Sequence, residues 1–455
     1  MLYSAENTID EYRKNLHQRL VAESNLSSRY QIHLRRMLVV FPCIAFGVLL
    51  SLQVPKGLPS SAPEGLRMAA PKQETQNVEQ VRSTGAVQPV QDQKSQNGKL
   101  QIKPEAAYAE EPPIPGYQAY MQRQAHMSDT EKKPAVQRGI YLTANSTGND
   151  EKLLWEFANL EKSKSTALVF DVKGTYVYFH ASAPLAEELG LVRPAYDIPK
   201  IVQMAHERGL YAIARYIVSK DPSLAVLKPE TQIQNIYTGT GIGEVWVDTS
   251  NQTTLAYNEQ ILRDLVTSGV DEINFDYIRY PTEYNQSAIG LTGDEKADHI
   301  EAFLRMARNI VEEQGAGTKL GLSTFAILGW NFPINFEPLG QDIARFAQFV
   351  DVISPMAYPA TFAEGSYYNP KRDPVSRNYY LVYRTLQGYR ELLGEDAWKL
   401  RPWIQGYYVD ATDMIDQMQA VYDAGLCGFT VWNARNNYDP FYKAMTRVEI
   451  PENCL

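Results

Sequence analysis

The stretch Gly269–Pro281, GVDEINFDYIRYP, decides the predicted fold. Its apolar residues Ile273 and Phe275 alternate with polar ones, which indicates a short β-strand with one apolar face. The strand ends at Asp276, which is followed by aromatic residues and by Arg279. Parallel α/β barrels carry their chemistry at the carboxyl face, where the strands end. Asp276 is therefore a candidate catalytic residue; the alternative is that Asp276 and Arg279 pair only to cap the strand.

Seven other short apolar runs also predict strands, and amphipathic helical stretches lie between the runs. The eight predicted strands are Arg138–Thr143, Ala167–Val172, Tyr211–Val218, Glu272–Tyr277, Lys319–Ala326, Val352–Tyr358, Pro402–Tyr407 and Cys427–Trp432. The helical stretches include Asn258–Ser268, Lys296–Gln314, Gln341–Phe349, Tyr379–Leu393 and Asp413–Ala424. Eight βα units predict an α/β fold, a (β/α)8 TIM barrel over residues 136–450.

A doubly wound open sheet is the competing α/β fold. It normally carries a glycine-rich phosphate turn directly after its first strand. The nearest match is GTGIG at Gly239–Gly243, which follows no predicted strand and lacks the required spacing. We therefore predict a loop at this position and favour the barrel.

If the barrel closes, the strand ends bring polar and aromatic side chains together at one rim. Aromatic faces pack against the C–H surfaces of sugars and polar groups bond their hydroxyls, so the rim suits a hydroxyl-rich ligand. The residues predicted to bind substrate are Lys173, Arg215, Trp246, Tyr277, Arg279, Met356, Tyr358, Gln405, Tyr407, Trp432 and Asn433. Packing explains any one of them as well as function does, but the whole set favours a binding site.

The sequence argues against several other kinds of chemistry. No two of the six His residues fall at metal-ligand spacing, and no G-x-S-x-G turn is present. A formal net charge of −9 without a basic region argues against nucleic-acid binding. We therefore predict no metal, no cofactor and no nucleic-acid partner. Carboxylate chemistry of the glycosidase kind remains, led by Asp276, with Arg279 placed to favour its charged form.

Eight short segments carry a family resemblance. They are Arg138–Tyr141, Phe170–Lys173, Trp246–Asp248, Phe275–Pro281, Gly340–Asp342, Ser354–Pro359, Arg401–Gln405 and Trp432–Ala434. With them, the barrel region resembles the glycoside hydrolase domain of bacterial envelope proteins, which belongs to the TIM-barrel hydrolase clan. It is similar, more distantly, to the chitinase-like group.

The chain departs from the chitinase motif at its most important position. In that group the fourth strand reads Asp-Gly-hydrophobic-Asp-hydrophobic-Asp-aromatic-Glu, and the last Glu donates the proton. Alignment of Asp271, Asn274 and Asp276 with the three acids places Ile278 where the Glu belongs. Because Ile cannot donate a proton, the resemblance implies instead that Asp276 leads, with another acid as its partner. The candidate partners are Asp171 and Asp248, followed by Glu337 and Glu364.

The amino-terminal region predicts a membrane anchor. Residues 37–54 form an apolar run without charges, preceded by Arg35 and Arg36, so a signal anchor with residues 1–36 in the cytoplasm is expected. A cleaved signal peptide is the alternative. Residues 55–135 are rich in Gln, Pro, Ser, Lys and Glu and predict a flexible extracytoplasmic linker. The three Cys form no disulfide framework, although a Cys427–Cys454 bridge stays open.

The combined hypothesis is a membrane-anchored glycosidase that acts on an envelope or extracellular polysaccharide from the outer side of the cell membrane. One alternative is a non-catalytic glycan-binding module that uses the same aromatic rim. Another is an envelope scaffold that makes its contacts through the linker and residues 1–36.

Overall fold

The computed structural model describes residues 115–128, 132, 135–243 and 245–455. The predicted cytoplasmic segment (residues 1–36), the predicted anchor (37–54) and most of the predicted linker lie outside these ranges. Within them, no helix combines the length and the apolar character that crossing a bilayer requires.

Eight parallel strands close into a barrel, as the sequence predicted. The strands are β1 (Arg138–Leu142), β2 (Ala167–Lys173), β3 (Tyr211–Ile217), β4 (Glu272–Asp276), β5 (Lys319–Phe325), β6 (Val352–Ala357), β7 (Trp403–Gln405) and β8 (Phe429–Trp432). Each strand pairs with the next one along the chain, and β8 pairs with β1, where Phe429 lies opposite Arg138. The TIM-barrel prediction is confirmed, and all the strand ends meet at one mouth.

Helices connect the strands and cover the barrel. The longer ones are α1 (Pro115–His126), α2 (Asp150–Lys162), α3 (Ile198–His206), α4 (Gln252–Thr267), α5 (Gly293–Gln314), α6 (Phe332–Leu339), α7 (Arg377–Leu393), α8 (Ala411–Asp423) and α9 (Asp439–Met445). Shorter helical segments are Ala144–Thr147, Pro184–Glu188, Pro222–Leu227, Gln286–Ile289 and Ile343–Phe346.

Helix boundaries differ from the predictions where capping residues lie outside the apolar pattern. Asn251 accepts hydrogen bonds from the first turn of α4, so that helix begins six residues before the predicted Asn258. A capping box between Thr292 and Glu295 similarly starts α5 at Gly293. The predicted helix over Gln341–Phe349 shortens to Ile343–Phe346.

Strand β4 shows how the sequence aims its side chains. Glu272, Asn274 and Asp276 alternate with apolar residues and point into the barrel, where Asn274 accepts a 2.6 Å hydrogen bond from Ser323 of β5. Phe275 points outward and packs at 5.1 Å between ring centroids on Phe303 of α5. The period of two in the sequence therefore places the carboxylate of Asp276 at the mouth.

A buried ion pair lies below this layer in the barrel interior. Arg401 donates two hydrogen bonds of 2.8 and 2.6 Å to Glu272, and both side chains are almost fully buried. A Cβ atom on Gly321 would lie 2.4 Å from Glu272, so β5 needs glycine opposite this pair. The pair is bidentate, the geometry in which Arg binds a carboxylate most specifically.

Helix α1, which lies within the predicted linker, packs against the barrel domain. Tyr120 is buried and donates a 3.0 Å hydrogen bond to the carbonyl of Val350, just before β6. The guanidinium of Arg308 lies 3.8 Å from the centre of the same ring. The apolar and polar contacts of Tyr120 therefore hold residues 115–126 against α5 and the amino-terminal end of β6.

Two smaller features add to the sequence-based expectation. Cys427 and Cys454 form a disulfide, the pairing that the sequence left open. The Gly-rich stretch, predicted as a loop, contributes Thr240–Gly241 to a short antiparallel pair with Gln234–Asn235.

Candidate active site

Two carboxylates from different strands meet on one guanidinium at the barrel mouth. Arg215 of β3 donates hydrogen bonds of 2.9 and 2.6 Å to one oxygen of Asp276 at the end of β4. The same guanidinium donates a 2.6 Å bond to Asp171 of β2. Both acids keep a small exposed fraction, 13% for Asp171 and 11% for Asp276. The site therefore contains an acid pair that a ligand in the mouth can reach.

The two acids have different surroundings. Burial raises the pKa of Asp171 above its ordinary value, although Arg215 and a 2.6 Å hydrogen bond from the Tyr141 hydroxyl oppose the rise. Asp276 accepts a third hydrogen bond, 2.7 Å from the amide of Tyr277. Burial opposes the charge on Arg215, but both carboxylates outweigh it and raise its pKa well above the ordinary value.

The backbone at the end of β4 is in an unusual conformation. Tyr277 has a φ of 51°, in the left-handed region that aromatic residues rarely occupy. This turn directs the amide of Tyr277 at Asp276, while its carbonyl accepts a hydrogen bond from the amide of Ser219. Backbone strain of this kind is frequent at functional sites and costs about 1–3 kcal/mol.

Aromatic rings form one wall of the mouth, as the sequence predicted for the rim. Trp432 at the end of β8 stacks on Tyr358 at 5.7 Å and meets Tyr407 edge-on at 5.5 Å. Tyr141 continues the stack at 6.5 Å from Trp432, and Met356 packs against the group. Trp432 and Tyr407 are only partly buried, so part of this wall faces solvent.

The opposite wall is built on the loops after β3 and β4. Arg279 lies over the rings of Trp246 at 4.6 Å and Phe325 at 4.5 Å. The indole N–H of Trp246 donates a 2.8 Å bond to Glu283, a residue that the sequence did not single out. Lys220 lies 5.0 Å from the centre of the Tyr277 ring and was also missed, because loop positions carry no periodic signal.

Arg279 does not hold Asp276, contrary to the expectation from its spacing. Its guanidinium donates a 2.8 Å hydrogen bond to the carbonyl of Tyr280, and burial lowers its pKa. Arg215, predicted only to bind substrate, forms the ion pair with Asp276 instead. Asp276 pairs with Arg215 of the neighbouring strand β3 because inward-facing residues on adjacent barrel strands lie side by side. Arg279, three residues further along a tight turn, lies farther from the carboxylate of Asp276.

Lys173 faces away from the mouth, although it was predicted to bind substrate. Its ammonium donates bonds of 2.7 Å to Asp221 and 2.9 Å to the carbonyl of Ile217, and it is fully buried. The pairing of β2 with β3 shifts register between Asp171 and Lys173. This irregularity breaks the alternation that would have placed both side chains on one face.

Asp248 belongs to a different cluster from Asp171 and Asp276. Its carboxylate accepts bonds from Ser250 at 2.8 Å and lies 3.2 Å from His299 of α5, whose pKa the hydrogen bond raises. The hydroxyl of Tyr280 lies 2.6 Å from the same imidazole nitrogen. These contacts tie the loop after β3 to α5.

Gln405 and Asn433 are engaged with the backbone. Gln405 accepts a 2.8 Å bond from the amide of Ala360 and donates one to the carbonyl of Tyr407. Asn433 donates to the carbonyls of Gly406 and Asn437. In this structure both amides shape the loops around the mouth.

Among the described residues, no three His, Cys, Asp or Glu side chains cluster in a way that could hold a metal ion.

Comparison with known families accounts for most of the barrel. Residues 139–438 match the family model described as "Putative glycosyl hydrolase domain". The chain belongs to this family. A search of curated protein sequences gives no match.

Several solved structures are similar to this chain. A hypothetical protein from Ruminiclostridium thermocellum is 31% identical, covers 40% of this chain and 96% of its own, and has a TM-score of 0.35. The PgaB (BpsB) glycoside hydrolase domain from Bordetella bronchiseptica is 13% identical over 68% of this chain and 98% of its own, with a TM-score of 0.53. A class V chitinase from Pseudomonas fluorescens is 12% identical over 69% of this chain and 99% of its own, with a TM-score of 0.44.

Proposed function

We propose that this protein hydrolyses a glycan at the barrel mouth, with Asp276 and Asp171 as its acting carboxylates. The observation that carries the proposal is the convergence of both acids on Arg215, at 2.6 Å each, where the strands end. Glycosidases use such a pair, one acid to protonate the leaving oxygen and the other as nucleophile or base. Family membership supports this class of reaction.

We infer the roles of the two acids from their surroundings. Because burial raises the pKa of Asp171, this carboxyl holds a proton to higher pH and serves as the acid. Asp276 accepts three hydrogen bonds, two of them from a guanidinium, and serves as the anionic nucleophile or base. Tyr358, Tyr407 and Trp432 supply the ring surfaces against which a sugar packs.

We place the barrel outside the cell membrane, anchored by residues 37–54. Support comes from the uncharged apolar run in the sequence and from the Cys427–Cys454 disulfide, because disulfides persist mainly in oxidising compartments. Protease added to intact spheroplasts should then digest the barrel. Protection of the barrel until the cells are lysed would contradict this placement.

A non-catalytic glycan-binding module is the second candidate. The favouring observation is that Arg215 bonds both carboxylates, so neither is free of a cationic partner. Such a protein would use the aromatic wall to bind sugar and leave the glycosidic bond intact.

Product release separates the two candidates. We would incubate the full-length protein with peptidoglycan, chitin-like, neutral and acidic polysaccharides and measure new reducing ends. The hydrolase proposal expects release from at least one polymer. Saturable binding to a polymer with no product, even at high protein concentration, would favour the binding module.

A further inference from the structure

Charge is divided unevenly across the barrel mouth. When both carboxyls are ionised, Asp171, Asp276 and Arg215 together carry one net negative charge. The adjoining loop residues, Lys220, Arg279 and Glu283, carry one net positive charge. The two groups are neighbours, since Lys220 and Arg279 lie 5.0 and 5.7 Å from the ring centre of Tyr277, whose amide donates a hydrogen bond to Asp276. The mouth therefore has an acidic half with the proposed catalytic pair and a cationic half beside it.

Lys220 supplies a cation without a hydrogen-bond acceptor among the described residues. It follows β3, and the amides of Val218 and Ser219 just before it bond to the carbonyls of Asp276 and Tyr277. Its partly buried ammonium lies over the rings of Tyr277 at 5.0 Å and Trp246 at 5.9 Å. Partial burial of an ammonium is unfavourable unless an acceptor or an anion compensates for the lost water.

Arg279 has unused donor capacity in the same half of the mouth. Its side chain is only 9% exposed, and its Nε has no hydrogen-bond partner in the described structure. Glu283 lies 4.0 Å from its guanidinium, but that carboxylate already accepts bonds from Trp246 and from the amide of Thr282. Because Nε is buried, an incoming anion would meet the exposed part of the Arg279 guanidinium and not Nε itself.

We propose that Lys220 and Arg279 form a subsite for an anionic substituent of the glycan, a carboxylate or a sulfate. The inference rests on the proposed function and narrows its substrate class to acidic polysaccharides. The ring of Tyr277 beside Lys220 is partly exposed and accommodates the sugar ring that carries the charge, while the fully buried Trp246 supports this wall from behind. Asp276, the residue directly before Tyr277, acts on a glycosidic bond next to that sugar.

Binding of charged and neutral glycans that are otherwise the same tests the subsite directly. The probes are polyuronate oligosaccharides with their carboxyl-reduced counterparts, and sulfated glycans with their desulfated counterparts, titrated against the full-length protein. At least one charged probe should bind about tenfold or more tightly than its neutral counterpart, as expected for hydrogen bonds to charged groups. The carboxylate and sulfate arms distinguish the two sources of charge.

Variants separate binding of the anion from a structural role of the lysine. Lys220→Met should abolish the preference for the charged probe, and Lys220→Arg should keep most of it. Lys443→Met, which removes an equal charge from the exposed face of α9, should leave the preference unchanged. A fold defect would weaken both members of a probe pair, whereas loss of the subsite weakens only the charged one.

Two results would overturn the inference. One is that no charged probe binds more tightly than its neutral counterpart, and the other is that Lys220→Met retains the full preference. Hydrolysis of a neutral glycan with no charge preference would reject this subsite while leaving the proposed hydrolase function intact. If charged probes bind more tightly than neutral ones but no glycan is hydrolysed, the proposed hydrolase function would be rejected and the anion subsite would be retained.

Discussion

Arg215 is the residue on which the chemistry of the mouth depends. It neutralises part of the charge of Asp171 and Asp276 and fixes the orientation of both carboxylates. Its removal would leave two acids side by side without their cation, which favours protonation of one of them. In the proposed hydrolysis we therefore expect Arg215 to act as a positioning residue, whose loss should change the pH profile of the reaction as well as its rate.

The pH dependence of hydrolysis should report the acid role of Asp171. A proton donor must be protonated to act, and burial raises the pKa of Asp171. We therefore expect kcat/KM to fall as the pH rises through the pKa of Asp171. In Asp171→Asn this limb should disappear along with most of the activity. Steady-state kinetics across pH measures it, and a limb that persists unchanged in Asp171→Asn would contradict the assignment.

At the scale of elements, the contacts of Asp351 join α5, β5 and β6. Its carboxylate accepts bonds of 2.7 Å from Arg308 and 2.9 Å from the amide of Leu320. Burial would raise the pKa of Asp351, but Arg308, Lys319 and these bonds together lower it. A carboxyl whose pKa is lower in the folded state than in the unfolded state stabilises the fold at pH values above its unfolded-state pKa. This contribution to stability is lost as the pH falls through the folded-state pKa.

Asp351→Asn should therefore lower the free energy of unfolding by about 3 kcal/mol near neutral pH, because it removes the nearer carboxylate from the buried Arg308 and leaves only Glu312, at 3.6 Å. The difference from wild type should shrink as the pH is lowered below the ordinary Asp pKa. Urea denaturation at several pH values tests this prediction. A difference that is constant with pH would show that ionisation of Asp351 does not contribute.

Helix α1 gives a second prediction at this scale. Tyr120→Phe removes the hydroxyl that bonds to Val350 and should cost about 1 kcal/mol. Tyr120→Ala also empties the space beside Arg308 and should cost about 3 kcal/mol or more. Gln122→Ala, on the exposed face of the same helix, is the matched control. Equal stability of all three variants in urea would mean that α1 is only loosely attached.

Strands were easier to predict from the sequence than the site was. Short apolar runs predicted all eight strands, because a barrel strand buries both its interior side and its helix-facing side. The period-two placement of side chains failed at Lys173, where a register irregularity that no residue type indicates turns the side chain away from the mouth. Lys220 and Glu283 were missed because they lie in loops, where the sequence carries no periodic signal. Asp248 was wrongly grouped with Asp171 and Asp276 because the path of its loop, which separates it from them, cannot be read from the sequence.

For the whole molecule, the disulfide fixes the carboxyl terminus to the barrel. Cys427 precedes β8, and Cys454 lies 27 residues later. In addition, Arg138 of β1 donates a 3.0 Å bond to the carbonyl of Cys454. Chain-entropy arguments put the effect of closing such a loop at about 3–4 kcal/mol.

Replacement of both residues, Cys427→Ser with Cys454→Ser, should lower stability by about that amount while leaving the acid pair intact. Thermal unfolding of wild type with and without reductant provides the comparison. Thiol titration of the unreduced, unfolded protein should find neither Cys427 nor Cys454 free. Two free thiols at these positions would remove the support that the bridge gives to an extracytoplasmic location.

The most direct test of the account is the rate of reducing-end release by Asp276→Asn on a polysaccharide that the wild type cleaves. Removal of an acting carboxylate should lower kcat by a factor of about 100 or more, with glycan binding retained. Asp248→Asn, which changes an acid of the separate His299 cluster, should keep most of the activity. Wild-type kcat in Asp276→Asn would contradict the assignment of this mouth as the catalytic site.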